Sequence, residues 1–166
     1  MSSNLRIYSS DDGRFQVVFP RNLEFKILGL CSVAQGWETG GVLVGNYTPD
    51  CLTAIIMNAT PPPKDSDAGR TWFHRGVAGL QRLFARLWSK PKREYYIGEW
   101  HYYPTSIVAP SPNDVHQMKN ISENENYRCP EPVLIIVGIG GNESWNARFF
   151  IFPRSGEPIE LKESLP

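Results

Sequence analysis

The chain has 166 residues, 41% hydrophobic and 12% aromatic, which is enough to bury one substantial core and too few for two. Its seventeen basic and seventeen acidic side chains give zero formal net charge, so no overall field favours nucleic acid or an anionic membrane. Three widely spaced cysteines without a Cys-x-x-Cys pair fit neither a disulfide framework nor a thiolate zinc site. The N-terminus lacks a signal-peptide pattern, and the longest apolar run is about half a membrane span. We therefore expect one soluble, cytoplasmic, monomeric domain over residues 1–166.

The first half of the chain predicts a strand, a helix and a β-hairpin. "FQVVFP" is typical of a short strand, and "RNLEFKILGLCSVAQGW" carries apolar residues at helical spacing. "GGVLVGNY" and "CLTAIIMNA" are β-branched or apolar runs separated by a short turn, which indicates a hairpin. The three consecutive prolines in "TPPPKDSDAG" remove backbone donors and fix φ, so this segment is predicted to be a loop.

The second half predicts two helices and four strands. "RTWFHRGVAGLQRLFARLWSK" places four apolar side chains on one stripe, as in a helix packed on a sheet, and "PNDVHQMKNISENEN" is the second predicted helix. The predicted strands are "REYYIGEW", "PVLIIVGIG", "ARFFIFP" and "EPIELKE". Because helices and strands interleave from end to end, the sequence predicts one α/β domain without internal repeats.

Four polar side chains have spacings that point to a metal-dependent hydrolytic site. Because side chains alternate along a strand, His101 and residue 103 should point to the same side at the end of one strand. Ser111 has the marks of a helix N-cap, and Asp114 would then lie in the first turn of that helix. Glu38 lies just before a glycine-flanked strand, where its carboxylate could face the same cleft. The arrangement indicates catalytic zinc with a general base, and we expect these side chains to converge on one cleft.

These residues resemble the motif of the JAB/JAMM (MPN-plus) metalloproteases. In that family a Glu precedes His-x-His, and Ser-x-x-Asp follows after seven residues, the first of them proline. Here the five positions are Glu38, His101, Tyr103, Ser111 and Asp114, and only position 103 departs from the pattern. The resemblance runs from about Glu24 to Phe152. It implies an α/β fold of the JAB/MPN (cytidine-deaminase-like) type, with a mixed β-sheet sandwiched by helices in a single domain.

The resemblance also implies a function, a cofactor and a substrate class. By the family's mechanism His101, Asp114 and the residue at position 103 would hold Zn²⁺, which lowers the pKa of bound water from about 15.7 toward about 7. Glu38 would act as general base, and Ser111 would donate a hydrogen bond to the oxyanion. Some compact bacterial members accompany ubiquitin-like conjugation enzymes, including those of cyclic-oligonucleotide antiphage (CBASS) systems. The implied substrate is the C-terminal tail of a conjugated antiphage nucleotidyltransferase (CD-NTase) or a ubiquitin-like protein.

Each candidate residue also has an ordinary structural interpretation. Ser111 and Asp114 alone would usually be a helix-capping pair, Glu38 an exposed loop carboxylate, and His101 a hydrogen-bonded histidine at a strand end. Only their joint spacing favours the catalytic interpretation. The other two histidines, His74 and His116, are interpreted as non-ligands; on a helix His116 would point about 200° away from Asp114.

Tyr103 makes the zinc site incomplete. A phenol has a pKa near 10 and must lose its proton before it can bind zinc as an imidazole does, so two firm ligands remain. Three explanations stay open: a natural non-catalytic member, a chain altered to disable cleavage, and a site completed by Tyr103 or an external group. Two other functions stay open: a metal-free module that binds protein tails, which Tyr103 favours, and, independently of Tyr103, a zinc amidase that acts on small peptides.

Two surfaces are candidates for contacts with other molecules. An extended substrate tail could add as a strand beside "GGVLVGNY". Basic residues also cluster in the middle of the chain, and we interpret them as the solvated face of a helix, with a protein partner as the alternative. Nucleic-acid binding is not expected, because a more positive total charge or interleaved aromatic side chains would be needed. The clustered residues are Arg70, Arg75, Arg82, Arg86, Lys90, Lys92 and Arg93.

Overall fold

A computed structural model describes residues 4–105, 107–140, 142 and 144–164. Strands and helices alternate along these residues, as predicted. No helix in these ranges has the length and apolar character needed to cross a membrane. The strands are β1 Leu5–Ser9, β2 Gln16–Pro20, β3 Thr39–Tyr47, β4 Thr53–Ala59, β5 Asp67–Ala68, β6 Phe73–His74, β7 Tyr95–Tyr102, β8 Val133–Val137, β9 Ala147–Ile151 and β10 Ile159–Glu163. The helices are α1 Arg21–Val33, α2 Leu80–Trp88 and α3 Pro112–Glu123, followed by a 3₁₀ turn at Glu125–Tyr127.

Eight strands form one closed, mixed sheet in the order β1-β10-β9-β8-β7-β3-β4-β2. The β2–β4 and β7–β8 pairs are parallel, and the other neighbouring pairs are antiparallel. The remaining two strands, β5 and β6, form a separate small hairpin. The sheet and the three helices confirm the predicted α/β class.

The sheet separates two apolar clusters, and the strand sequences show why. On β8, Val133, Ile135 and Val137 pack into the cluster on the α1 side, whereas Leu134 and Ile136 pack into the cluster beneath α2 and α3. Both sets are fully buried, which explains the continuous apolar run in this strand. Each such side chain contributes about 1.5–3 kcal/mol relative to its exposed state.

The sequence predicted one long helix over residues 70–90, and the first half of this prediction is wrong. Helix α2 begins only at Leu80, after Gly79 with a left-handed φ of 80°. Before it, the Asp65 carboxylate accepts hydrogen bonds from the backbone amides of Val77 at 3.0 Å and Ala78 at 2.8 Å. These bonds hold the segment in a turn, and the residues further upstream form the β5–β6 hairpin instead.

The prediction that a substrate tail adds as a strand beside β3 is contradicted over Leu43–Gly45, where β3 has a neighbouring strand on each side. Strand β3 pairs with β7 over Thr39–Gly45 and with β4 over Leu43–Tyr47. Its backbone donors and acceptors are therefore largely used within the sheet, and β3 is an interior strand. The predicted hairpin of β3 with β4 is confirmed.

Candidate active site

Helix α3 begins with a reciprocal capping arrangement. The backbone amide of Asp114 donates to Oγ of Ser111 at 3.1 Å, and the backbone amide of Ser111 donates to Oδ2 of Asp114 at 2.7 Å. Pro112 occupies the first helical position, where its missing N–H costs nothing. The capping interpretation of this pair is therefore correct. In this arrangement Asp114 is only 5% exposed and lies at the wall of a cleft.

The end of β7 brings two more predicted residues to the same carboxylate. His101 Nδ1 lies 2.9 Å from Oδ1 of Asp114, and the hydroxyl of Tyr103 donates a hydrogen bond to Oδ2 of the same side chain. Gly40 on β3 makes room for this packing. A Cβ at this position would lie 2.9 Å from Cδ2 of His101 and 2.4 Å from the backbone oxygen of Trp100.

Glu38 enters the cleft from the segment between α1 and β3. Its backbone amide donates to the carbonyl of Gly69 at 2.8 Å, which ties it to the β5–β6 hairpin. Partial burial, with a smaller contribution from the negative charge of Asp114, raises the pKa of Glu38 above its ordinary value, while His101 opposes the shift. A carboxylate with a raised pKa binds a proton more readily, as a general base must.

All five predicted site residues line this cleft, which has a volume of about 780 Å³. Sequence reasoning missed the β5–β6 hairpin, which contributes Trp72, Phe73 and His74 to the wall. The glycine in "DAGR" was the available sign of a turn at this point.

The ring of His74 lies 5.2 Å from that of Trp72, centre to centre, on the wall of the cleft. His116 points elsewhere, toward the amide of Asn120.

The Asp114 carboxylate accepts hydrogen bonds from the neighbouring site residues, and these contacts affect its pKa. Burial by itself would raise the pKa of Asp114, but hydrogen bonds from His101, Tyr103 and the Ser111 backbone, together with the charge of His101, hold it below its ordinary value. Burial, then the bond to Asp114, raises the pKa of Tyr103 far above its ordinary value, and a hydrogen bond from Ser111 opposes this only in part. The phenol therefore stays protonated and acts as a donor at neutral pH.

The described side chains do not fit a three-ligand catalytic zinc site. Among the residues that the structure describes, no three His, Cys, Asp or Glu side chains are grouped to hold a metal ion. His101 and Asp114 bond to each other, and both oxygens of the carboxylate accept hydrogen bonds from protein groups. Catalytic zinc normally has three protein ligands and an open fourth position, and a protonated Tyr103 does not supply the third.

Comparisons with known proteins place the chain in a family. The family model of prokaryotic homologs of the JAB domain matches residues 26–149. A curated protein of Enterobacter hormaechei subsp. hoffmannii (strain UCI 50), named CD-NTase/cGAS isopeptidase, is 39% identical over 158 residues, which cover 95% of this chain and 87% of that protein. The chain therefore belongs to the prokaryotic JAB-domain family and is an isopeptidase-like member. The resemblance inferred from the sequence is confirmed.

One solved structure is similar to this chain in fold, and a second is less similar. Protein DSY2949 from Desulfitobacterium hafniense has a TM-score of 0.55 at 16% identity, covering 87% of this chain and 86% of its own. A JAB1/MPN domain protein from Archaeoglobus fulgidus has a TM-score of 0.42 at 19% identity, covering 86% of this chain and 94% of its own. The family match is therefore the basis for the JAB/MPN fold.

Proposed function

We propose that this protein binds the C-terminal tail of a protein conjugate in the cleft and acts as an isopeptidase on the bond that follows the tail. One observation carries the proposal: Glu38, His101, Ser111 and Asp114, which come from three separate segments, line a single cleft. The name of the Enterobacter relative supports a CD-NTase as the conjugated protein. Cytoplasmic location, a monomeric state and a role in antiphage defence remain predictions.

The proposed roles follow from the contacts of each residue. Glu38 has a raised pKa and no ion-pair partner among the described residues, so it is suited to take a proton from water and return it to the leaving amine. The Ser111 hydroxyl accepts the helix-capping bond, and its own proton could stabilise the oxyanion of the tetrahedral intermediate.

Tyr103 should make this chain a poor catalyst. The JAB/JAMM family is generally zinc-dependent, and zinc supplies an ionisable water in such sites. His101 and Asp114 are two of the three expected ligands, so we expect zinc to bind this chain weakly and hydrolysis to be slow.

A non-catalytic tail-binding module is the second candidate function. The observation that favours it is that both oxygens of Asp114 already have protein partners, supplied by His101, Tyr103 and the backbone of Ser111. In such a protein the cleft would hold the tail, and no bond would be broken. Both candidate functions require the cleft to bind the tail, but only the isopeptidase would cleave the conjugate.

The test uses a CD-NTase joined through its C-terminus to a lysine of a second protein. Binding is measured by calorimetry with and without a chelator, and cleavage is followed by gel electrophoresis over hours. We expect chelator-resistant binding and slow cleavage; binding without cleavage, even at high zinc, would identify the tail-binding module. A conjugate whose CD-NTase lacks its flexible tail is the control. Equal binding of tailed and tailless conjugates would contradict both candidates.

A further inference from the structure

A second groove lies apart from the candidate active site. It has a volume of about 740 Å³, and one of its walls is formed by α2 and the other by the segment Pro61–Lys64. The two cavities share no lining residue. Any ligand of this groove would therefore bind without contacting the Glu38 and Asp114 carboxylates.

The floor of the groove is apolar and includes an exposed methionine. Strand β4 contains a bulge here: Val44 pairs with Asn58 and Gly45 pairs with Ile56, so Met57 has no partner residue on β3. Its side chain is 44% exposed. The half-buried Leu83 on α2 also lines the groove. An apolar side chain of a ligand could cover both residues and remove their surface from water.

The rim of the groove is positively charged although the whole chain has zero net charge. Four cationic side chains line it: Lys26, Lys64, Arg86 and Lys90. Glu94 is the one acidic lining residue, and it is already paired with Lys90 at 2.9 Å. Within the described part of the chain, Lys64 and Arg86 form no ion pair. Lys26 likewise has no ion pair there, since its ammonium donates to the uncharged Asn58 side chain, so three of the four cations have no counter-charge.

We propose that this basic groove, lined by Lys26, Met57, Lys64, Leu83 and Arg86, binds an acidic segment of a partner protein that carries an apolar side chain. The rim would pair with the acidic residues, and the floor would receive the apolar one. The consecutive prolines Pro61–Pro63 fix the backbone of one wall, which lowers the entropy cost of binding. The described lining residues include no aromatic side chain on which a base could stack, so a protein segment fits better than single-stranded nucleic acid.

The test measures fluorescence anisotropy with a labelled peptide, Glu-Asp-Glu-Leu-Glu-Asp-Glu, added to the full chain. The double variant Lys64→Glu/Arg86→Glu should weaken binding by about tenfold, because two attractions become repulsions. Arg82→Glu is the matched control, since this exposed arginine is on α2 but does not line the groove. Thermal unfolding of both variants establishes that they remain folded. Met57→Ser should weaken binding of this peptide and leave unchanged the binding of a version with Gly in place of Leu.

Three results would overturn the proposal. The first is no binding of the acidic peptide at physiological salt. The second is an equal loss of binding in Arg82→Glu, which would show a diffuse charge effect. The third is that an oligothymidylate of equal charge binds as tightly as the peptide, which would indicate that the groove binds nucleic acid. Because the groove is separate from the cleft, none of these results depends on whether the protein cleaves a conjugate.

Discussion

The hydroxyl of Tyr103 donates a hydrogen bond to Oδ2 of Asp114, the same oxygen that accepts the backbone amide of Ser111 at 2.7 Å. The other carboxylate oxygen lies 2.9 Å from Nδ1 of His101. Tyr103 stands where the JAB/JAMM motif has its second histidine, and it uses the aspartate as an acceptor. A metal ion and these hydrogen-bond donors would compete for the same lone pairs of Asp114. Tyr103 therefore affects two zinc ligands: it replaces the second histidine, and its hydroxyl occupies an oxygen of Asp114.

Tyr103→His should increase zinc binding and conjugate cleavage together. The imidazole would add a third ligand on the same side of β7 as His101 and would release the bond to Asp114. The gain should exceed the roughly 10–100-fold effect of residues that merely support metal ligands. Zinc per chain is measured by atomic emission and cleavage by gel electrophoresis. Equal cleavage by the unaltered chain would show that Tyr103 does not impair catalysis.

Tyr103→Phe should lower stability without raising zinc content. The substitution keeps the ring and removes the donor to Asp114, and loss of a hydrogen bond to a buried charged group costs about 1.5–3 kcal/mol. The free energy of unfolding in urea is the measurement. Tyr102→Phe is the control, because within the described residues the Tyr102 hydroxyl has no hydrogen bond. Similar losses in the two variants would mean that the bond contributes nothing measurable.

Glu38→Gln in the Tyr103→His background should abolish turnover and leave zinc bound. Glutamine has the same shape and cannot accept a proton, and removing a general base typically costs 10²–10⁴-fold. Zinc lost together with activity would identify Glu38 as a ligand.

Asp114→Asn should destabilise the protein most at neutral pH. Hydrogen bonds hold the folded-state pKa of Asp114 below its ordinary 3.8, so its contribution to stability is present above the unfolded-state pKa and is lost as pH falls through the folded one. The difference in unfolding free energy between the two proteins, about 1–3 kcal/mol near pH 7, should therefore shrink below about pH 4. Urea unfolding from pH 7 to pH 3 measures it. A difference independent of pH would show that the aspartate titrates alike in both states.

Arg75→Met should be strongly destabilising, because it leaves a buried charge unpaired. The Glu99 side chain is fully buried and accepts from Nε of Arg75 at 2.7 and 3.0 Å and from the Tyr96 hydroxyl at 2.9 Å. Removing one partner of such a pair costs about 3–5 kcal/mol. The double variant Arg75→Met/Glu99→Leu should recover much of the loss. Urea unfolding checks both, and a loss below about 1 kcal/mol in the single variant would contradict this expectation.

Local rules were enough to predict much of the fold and the α3 end of the site. Alternation along β7 and β8, the apolar stripe of α1 and the Ser111 cap of α3 depend on residues a few positions apart, so the sequence determined them directly. The same alternation placed His101 and Tyr103 on one side of a strand end. The position of Glu38 before a glycine-flanked strand made it a candidate, and the family motif connected it to the other site residues.

Contacts between distant segments decided the rest. The β5–β6 hairpin displaced the first half of a predicted helix, because Asp65 bonds to backbone amides twelve and thirteen positions away. Arg75 was predicted on a solvated face, but its salt bridge to Glu99 shows that this is wrong. Strand β3 became an interior strand only when β7 paired along it. The packing of the whole chain decides which segments come into contact. Side-chain periodicity shows which face of a strand or helix is buried, but it does not identify the segment that covers this face.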